Sequence, residues 1–164
     1  MDRLWAPWRM DYIKAPKSTG GCIFCDHPGQ EDEERLIVHR GQHAFVMLNL
    51  YPYNNGHVLV APYDHQADMD NLPQNAQAEM LRLATRCMAV MRTEMKAEGF
   101  NFGANIGAAA GAGIAEHLHF HVVPRWAGDT NFMPVLGNTK VQMEGLRETR
   151  ALLAAGMQRS ADEK

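Results

Sequence analysis

The stretch His117-Leu118-His119-Phe120-His121-Val122-Val123 carries three imidazoles in five positions, each separated from the next by an apolar residue. In an extended strand successive side chains point to opposite faces. This order therefore sends Leu118, Phe120 and Val122 into a core and aligns His117, His119 and His121 on one face, about 6.5 to 7 Å apart. A single histidine on a strand is ordinarily a satisfied core or surface residue, but three on one face leave six ring nitrogens to be satisfied together. Two chemistries use such a row: imidazoles that bind a catalytic metal directly, or one imidazole that attacks phosphorus while its neighbours hold the phosphate. A metal hydrolase adds carboxylate ligands close by, yet Glu116, the nearest acid, alternates onto the opposite face, and Val122-Val123-Pro124 offers none. A phosphate site wants exposed backbone amides and small residues, and Gly107-Ala-Ala-Ala-Gly111-Ala-Gly113 lies just upstream. Phosphorus chemistry is the better fit.

Working outward, residues 36–39, 44–48 and 56–62 have the β-branched and aromatic content of strands, and 52–56 supply a turn before the third. Three short strands in succession predict an antiparallel meander. Between Pro73 and Gly99, Ala76, Met80, Leu83, Ala84, Cys87, Met88, Met91 and Met95 recur at spacings of three and four, which predicts one long helix with its methionines in ordinary core packing. Residues 100–106 and 117–123 read as two further strands, and 143–157 as a C-terminal helix. Strands, helix, strands and helix in that order predict an α+β fold: an antiparallel sheet of about five strands under one long helix, with a C-terminal helix. The expected organisation is an arm over 1–21 anchored by Trp5 and Trp8, a domain over 22–157 and a polar tail over 158–164.

Composition narrows the function classes. The chain has 164 residues, 46% apolar and 21% charged, with a net charge of −3. That suffices for one domain whose core needs neither disulfides nor a metal. Lys and Arg do not cluster, so a nucleic-acid polymer is not an expected partner. The longest charge-poor stretch, 100–115, contains Asn101, Asn105 and four glycines and falls short of a bilayer span. The first residues carry Trp, Pro and mixed charge in place of an apolar run, so a cytoplasmic protein away from membranes is expected. Of three cysteines, Cys87 falls on the helical pattern as a core residue, while Cys22-Ile-Phe-Cys25 has the spacing of a redox pair, half of a zinc knuckle, or two buried thiols.

Taken together, His117-Leu-His119-Phe-His121-Val-Val, with Asn49 and Gly56-His57-Val-Leu-Val-Ala-Pro upstream, resembles the histidine triad family over about residues 20–126. The opening Leu4-Trp-Ala-Pro-Trp-Arg and the later Gly128-Asp-Thr-Asn-Phe-Met-Pro-Val look like its bacterial branch, related to diadenosine tetraphosphate phosphorylases and hydrolases. The resemblance implies that His119 attacks the α-phosphorus of a nucleotide to form a nucleotidyl-imidazole, that His121 bonds a non-bridging oxygen and that His57 assists from the neighbouring strand. It also implies that Asn49 accepts the ribose hydroxyls, with Met47 and Leu50 toward the base, while Asn105 and the amides of Gly111, Ala112 and Gly113 cradle phosphate. Cys22, Cys25, His65 and His117 correspond to the four ligands of a structural zinc in zinc-containing members. A homodimer, and a nucleotide or dinucleoside polyphosphate substrate, are the implied partners. One departure is visible: many members carry Gly-Gln-Ser or Gly-Gln-Thr ahead of the triad, whereas Gly111-Ala-Gly113-Ile has no hydroxyl or amide side chain. The competing expectations are a hydrolase whose triad binds a catalytic metal, and a nucleotide sensor without catalysis.

Overall fold

The computed structural model describes residues 21–25, 31–130, 133–137 and 144–162. The arm expected over 1–21 lies almost wholly outside them. The sheet contains β1 (Ile37–Arg40), β2 (Ala44–Leu48), β3 (Val58–Pro62), β4 (Gly99–Gly103) and β5 (Phe120–Arg125), in the order β1-β2-β3-β5-β4. Each neighbouring pair is antiparallel. The meander and the five strands match expectation. A long helix, α1 (Gln74–Glu94), connects β3 to β4; a short α2 (Met133–Leu136) and a C-terminal α3 (Leu146–Asp162) follow β5.

Alternation sorts the side chains. Ala44, Val46, Leu48, Val58, Val60, Phe120 and Val122 face α1 and α3, where Met80, Leu83, Cys87, Met91, Leu153 and Met157 complete the main core. Phe45, Met47, Leu59 and Ala61 point the other way and form a second cluster with Phe24 and Ile37. Cys87 is buried and its thiol is pushed up to about 12 by loss of solvation, an inert core residue as the helical spacing predicts.

Helix α1 starts after Pro73, whose missing N–H costs nothing there, and Gln77 secures the entry by donating to the carbonyls of Met69 and Leu72, both at 2.8 Å. It stops where Lys96 turns left-handed (φ 55°) and Ala97 N–H reaches back to the Met91 carbonyl, a C-terminal cap made without the usual glycine. Helix α3 packs so closely on α1 that a Cβ on Gly156 would stand 2.5 Å from Val90 Cγ1. It starts at Leu146 and runs to Asp162, into the stretch read as a tail, where Arg159 pairs with Glu94 at 2.5 Å and Arg86 bonds Ser160. Among the described residues no helix is long and apolar enough to cross a membrane.

Glu79 staples α1 to the sheet: its buried carboxylate accepts the backbone N–H groups of Gln42, His43 and Ala44 at the β1–β2 turn. Burial pushes its carboxyl up, but those amides together outweigh burial, and it ends below its ordinary 4.5. His43 lies beside it, His39 feels its charge, and Arg82 approaches at 3.9 Å. A depressed carboxyl stabilises the fold fully above its unfolded value and loses that contribution as pH falls through the folded one. Glu79→Gln should therefore cost about 2 kcal/mol at neutral pH, with the gap to wild type closing as pH falls below 4.5. Urea unfolding at several pH values reads this directly, and a gap independent of pH would exclude the carboxylate as its source.

Candidate functional site

β5 begins later than the motif suggests. Register pairs Val60 with Phe120, so Pro62, which has no N–H to donate, falls opposite Leu118 and the ladder cannot continue. Leu118 N–H bonds the Gln66 carbonyl instead. His117 and His119 consequently precede the strand while alternation persists, with Leu118 in the main core. The three imidazoles stay on one side but divide between two clusters.

The first cluster is catalytic in form. Tyr53 N–H donates to His57 Nδ1 at 3.1 Å, and Asn49 Nδ2 lies 3.3 Å from the same nitrogen. His57 must then carry its proton on Nε2, which stands 2.9 Å from His121 Nδ1; the neutral His121 in turn holds its own proton on Nε2. His119 Nδ1 donates to the His117 carbonyl at 2.9 Å, which fixes the ring and puts the lone pair on Nε2. Burial lowers the His119 pKa, against the opposing pull of that carbonyl, so the ring is neutral and nucleophilic at pH 7. The His119 and His121 rings lie 4.9 Å apart, and His57 and His121 5.1 Å. A neutral imidazole beside the Nε2–H of His121, which His57 orients, can attack an electrophilic phosphorus whose oxygens that N–H stabilises.

The second cluster uses His117. Its Nε2–H donates to the Pro62 carbonyl at 2.9 Å, which turns Nδ1 toward His65 Nδ1 at 3.2 Å, Cys22 Sγ at 3.3 Å and Cys25 Sγ at 3.5 Å. Cys25 Sγ is also 3.1 Å from His65 Nδ1, and the four donor atoms lie within 4.8 Å of one another. A tetrahedron built on bonds of about 2.0 Å to nitrogen and 2.3 Å to sulfur has edges of about 3.3 to 3.8 Å. Two thiols on a Cys25 N–H to Cys22 carbonyl turn, two imidazoles and a carbonyl orienting one of them fit a closed four-coordinate metal site. Only His117 of the triad belongs to it, so the three imidazoles do not converge on one metal.

Three features escape the motif reading. Phe24, between the two cysteines, is buried, with its ring 5.0 Å from His117 and 4.8 Å from His119. Tyr53 stacks on His121 at 5.8 Å and 15° besides supplying the N–H that fixes His57. The loop that carries it is latched by buried Asn54, which donates to the Pro124 carbonyl and to Asp129 Oδ2. Asp129 is held by Arg125 through two contacts of 2.6 and 2.9 Å, and the guanidinium keeps its carboxyl well below the usual range. Gly56 closes this loop at φ 76°, with Met95 and Pro124 where a side chain would go.

Of the remaining expected residues, Asn49 is half-buried and its Oδ1 accepts Tyr51 N–H. Met47 is buried on the same sheet face as His121, with Leu59 between them, and Leu50 is exposed. Asn105 follows β4, half-buried; Gly111, Ala112 and Gly113 lie in the connection to β5, in which Ile114 packs on the hydrophobic cluster of Phe24, Phe45 and Leu59. Trp126 packs on the main core and donates to the Met95 carbonyl.

The HIT domain profile matches residues 30–128. A protein named AP-4-A phosphorylase from Mycobacterium tuberculosis is 41% identical over 162 residues, covering 94% of this chain and 83% of its own. An uncharacterized HIT-like protein of Methanocaldococcus jannaschii is 31% identical over 66% of this chain and 81% of its own. Among solved structures, a Zn-bound histidine triad family protein from Mycobacterium smegmatis superposes with a TM-score of 0.65 at 26% identity, covering 79% of this chain and 88% of its own. With its triad, its five-stranded sheet and these relatives, the chain belongs to the HIT family.

Proposed function

We propose that this chain cleaves diadenosine tetraphosphate by phosphorolysis through a nucleotidyl-His119 intermediate. That it is a HIT-family nucleotide enzyme follows from its relatives; the substrate and the acceptor are the proposal. The observation that carries the mechanism is the His119 Nδ1 bond to the His117 carbonyl, which leaves Nε2 as the only nitrogen able to attack. In the first step Nε2 forms a bond to the α-phosphorus and the bond to the bridging oxygen breaks, releasing ATP. In the second, inorganic phosphate attacks the adenylyl group, frees the imidazole and yields ADP. His121 Nε2–H stabilises charge on the phosphoryl oxygens, and His57 holds His121 in that tautomer. Asn49 and Leu50 would meet the ribose and base, with Met47 flooring that pocket; Asn105 and the Gly111, Ala112 and Gly113 amides would meet phosphate.

Cys22, Cys25, His65 and His117 would hold zinc, the metal named for the M. smegmatis relative. When bound, the zinc is structural: it fixes the segment that carries Phe24 and takes no part in the reaction. A homodimer, usual for proteins this chain resembles, belongs to the same proposal.

Incubation with diadenosine tetraphosphate, with and without inorganic phosphate, is the test. ADP plus ATP, formed only when phosphate is present, is the expected result. AMP plus ATP without phosphate would make water the acceptor, and no cleavage would remove the substrate assignment.

A further inference from the structure

A cavity of about 270 Å³ is lined by Tyr53, whose ring stacks on His121, and by Asn54, Asn101, Val123, Thr130 and the Arg125–Asp129 pair. Alternation sets Val123 and Arg125 on the same sheet face as His121, and register places Asn101 across from Val123. Strand order fixes its side: β2, with Met47 and the following Asn49 and Leu50, lies beyond β3 in one direction, and β4, with Asn101, lies beyond β5 in the other. From His119 to Val123 the extended chain covers about 13 Å. A polyphosphate with its α-phosphorus at His119 Nε2 can span that distance and deliver what it carries at its far end.

The lining decides what that end is. Arg125 is the cationic group among these residues, and it is already committed: two contacts to Asp129 and one of 2.8 Å to Asn101 Oδ1. A neutralised guanidinium offers little to a phosphate. Tyr53 is 43% exposed, stacked on His121 with ring area left toward the cavity, and Asn101 and Thr130 add an amide and a hydroxyl. An aromatic platform with neutral hydrogen-bonding groups suits a base and its sugar, and the volume lies near the lower end for small-ligand pockets.

Resting on the function proposed above, we infer that this cavity is the subsite for the distal nucleoside of a dinucleoside polyphosphate, the half that departs with the leaving group. Thr130→Trp would fill it from an exposed position outside the reaction centre. Steady-state kinetics with diadenosine tetraphosphate should give KM raised about tenfold, the scale of one lost base stack, with kcat little changed. Cleavage of adenosine phosphoramidate, which has no distal nucleoside, should be unaffected. Asn101→Ala should shift the same KM in the same direction.

Light scattering on wild type and variant should give the same dimeric mass. Equal losses on both substrates, an unchanged KM for the dinucleotide, or a variant that falls apart into monomers would each overturn the subsite, the last because the cavity would then be an interface. If the wild-type protein cleaves adenosine phosphoramidate but not the dinucleotide, the substrate reading fails first. If it cleaves both and Thr130→Trp discriminates neither, the subsite alone fails.

Discussion

His119→Ala is expected to lower turnover of diadenosine tetraphosphate by about 10⁴-fold or more, the scale on which removing a covalent nucleophile acts, while nucleotide still binds. Binding survives because Asn49, Asn105, His121 and the loop amides remain; chemistry stops because no other nitrogen in the cluster combines a free lone pair with this placement. His57 Nδ1 accepts from Tyr53, and His121 Nδ1 faces His57. Wild-type protein quenched during turnover should carry an adenylyl group at His119 that is stable in base and labile in acid, as a phosphorus–nitrogen bond is. His121→Ala should cost about 2 to 4 kcal/mol of transition-state stabilisation and leave the adduct detectable. Near-normal turnover in His119→Ala, or an adduct mapped elsewhere, would defeat the mechanism and leave the fold intact.

The second large effect concerns the Cys22 cluster. Cys22→Ser removes one thiolate while leaving His119, His121 and His57 in place, so zinc measured on the purified variant should fall well below one per chain. A metal held at a thousand times its Kd adds about 4 kcal/mol to the folded state, which in a domain of this size corresponds to about 10 °C in Tm. Turnover should drop as well, because the freed segment carries Phe24, whose ring lies 4.8 Å from His119. Phe24→Ala separates the two contributions: zinc content should stay full while catalysis suffers, along with the stability lost when a buried core ring is removed. Full zinc occupancy with unchanged melting in Cys22→Ser would refute the four-ligand site.

Much of this architecture is legible because it is periodic or local. The three-and-four spacing from Ala76 to Met91 marks α1, the alternation from His117 to Val122 sorts core from reaction face, and Cys22 and Cys25 fall at knuckle spacing. What stays hidden is neither. Phe24 reads as one more apolar residue until the fold brings it against His117, and Asn54 meets Asp129 across 75 positions with no pattern to announce the pairing. Lys96 and Leu36 adopt left-handed backbone (φ 55° and 57°) where glycine is the usual signal. The late start of β5 needs the register opposite Pro62, which no reading of the triad alone contains. The C-terminal helix outlasts its hydrophobic pattern, into the stretch where Arg159 pairs with Glu94 of α1.

That proline-set division has an evolutionary consequence. His117 joins the thiol cluster and His121 the cluster with His57 and His119 from a single run in which every second side chain enters the core. Deleting or inserting one residue between them would exchange the faces of all that follows, burying His121 and exposing an apolar neighbour in its place while His117 stays put, so that one run could no longer serve both clusters. Drift in length is therefore barred from these five positions and diverted into the connection before them, from Ala104 to Glu116, where most residues are exposed or half-buried and the backbone turns freely at Gly107 and Gly111. By this geometry that connection can lengthen or shorten, but the histidine run must be inherited as a unit.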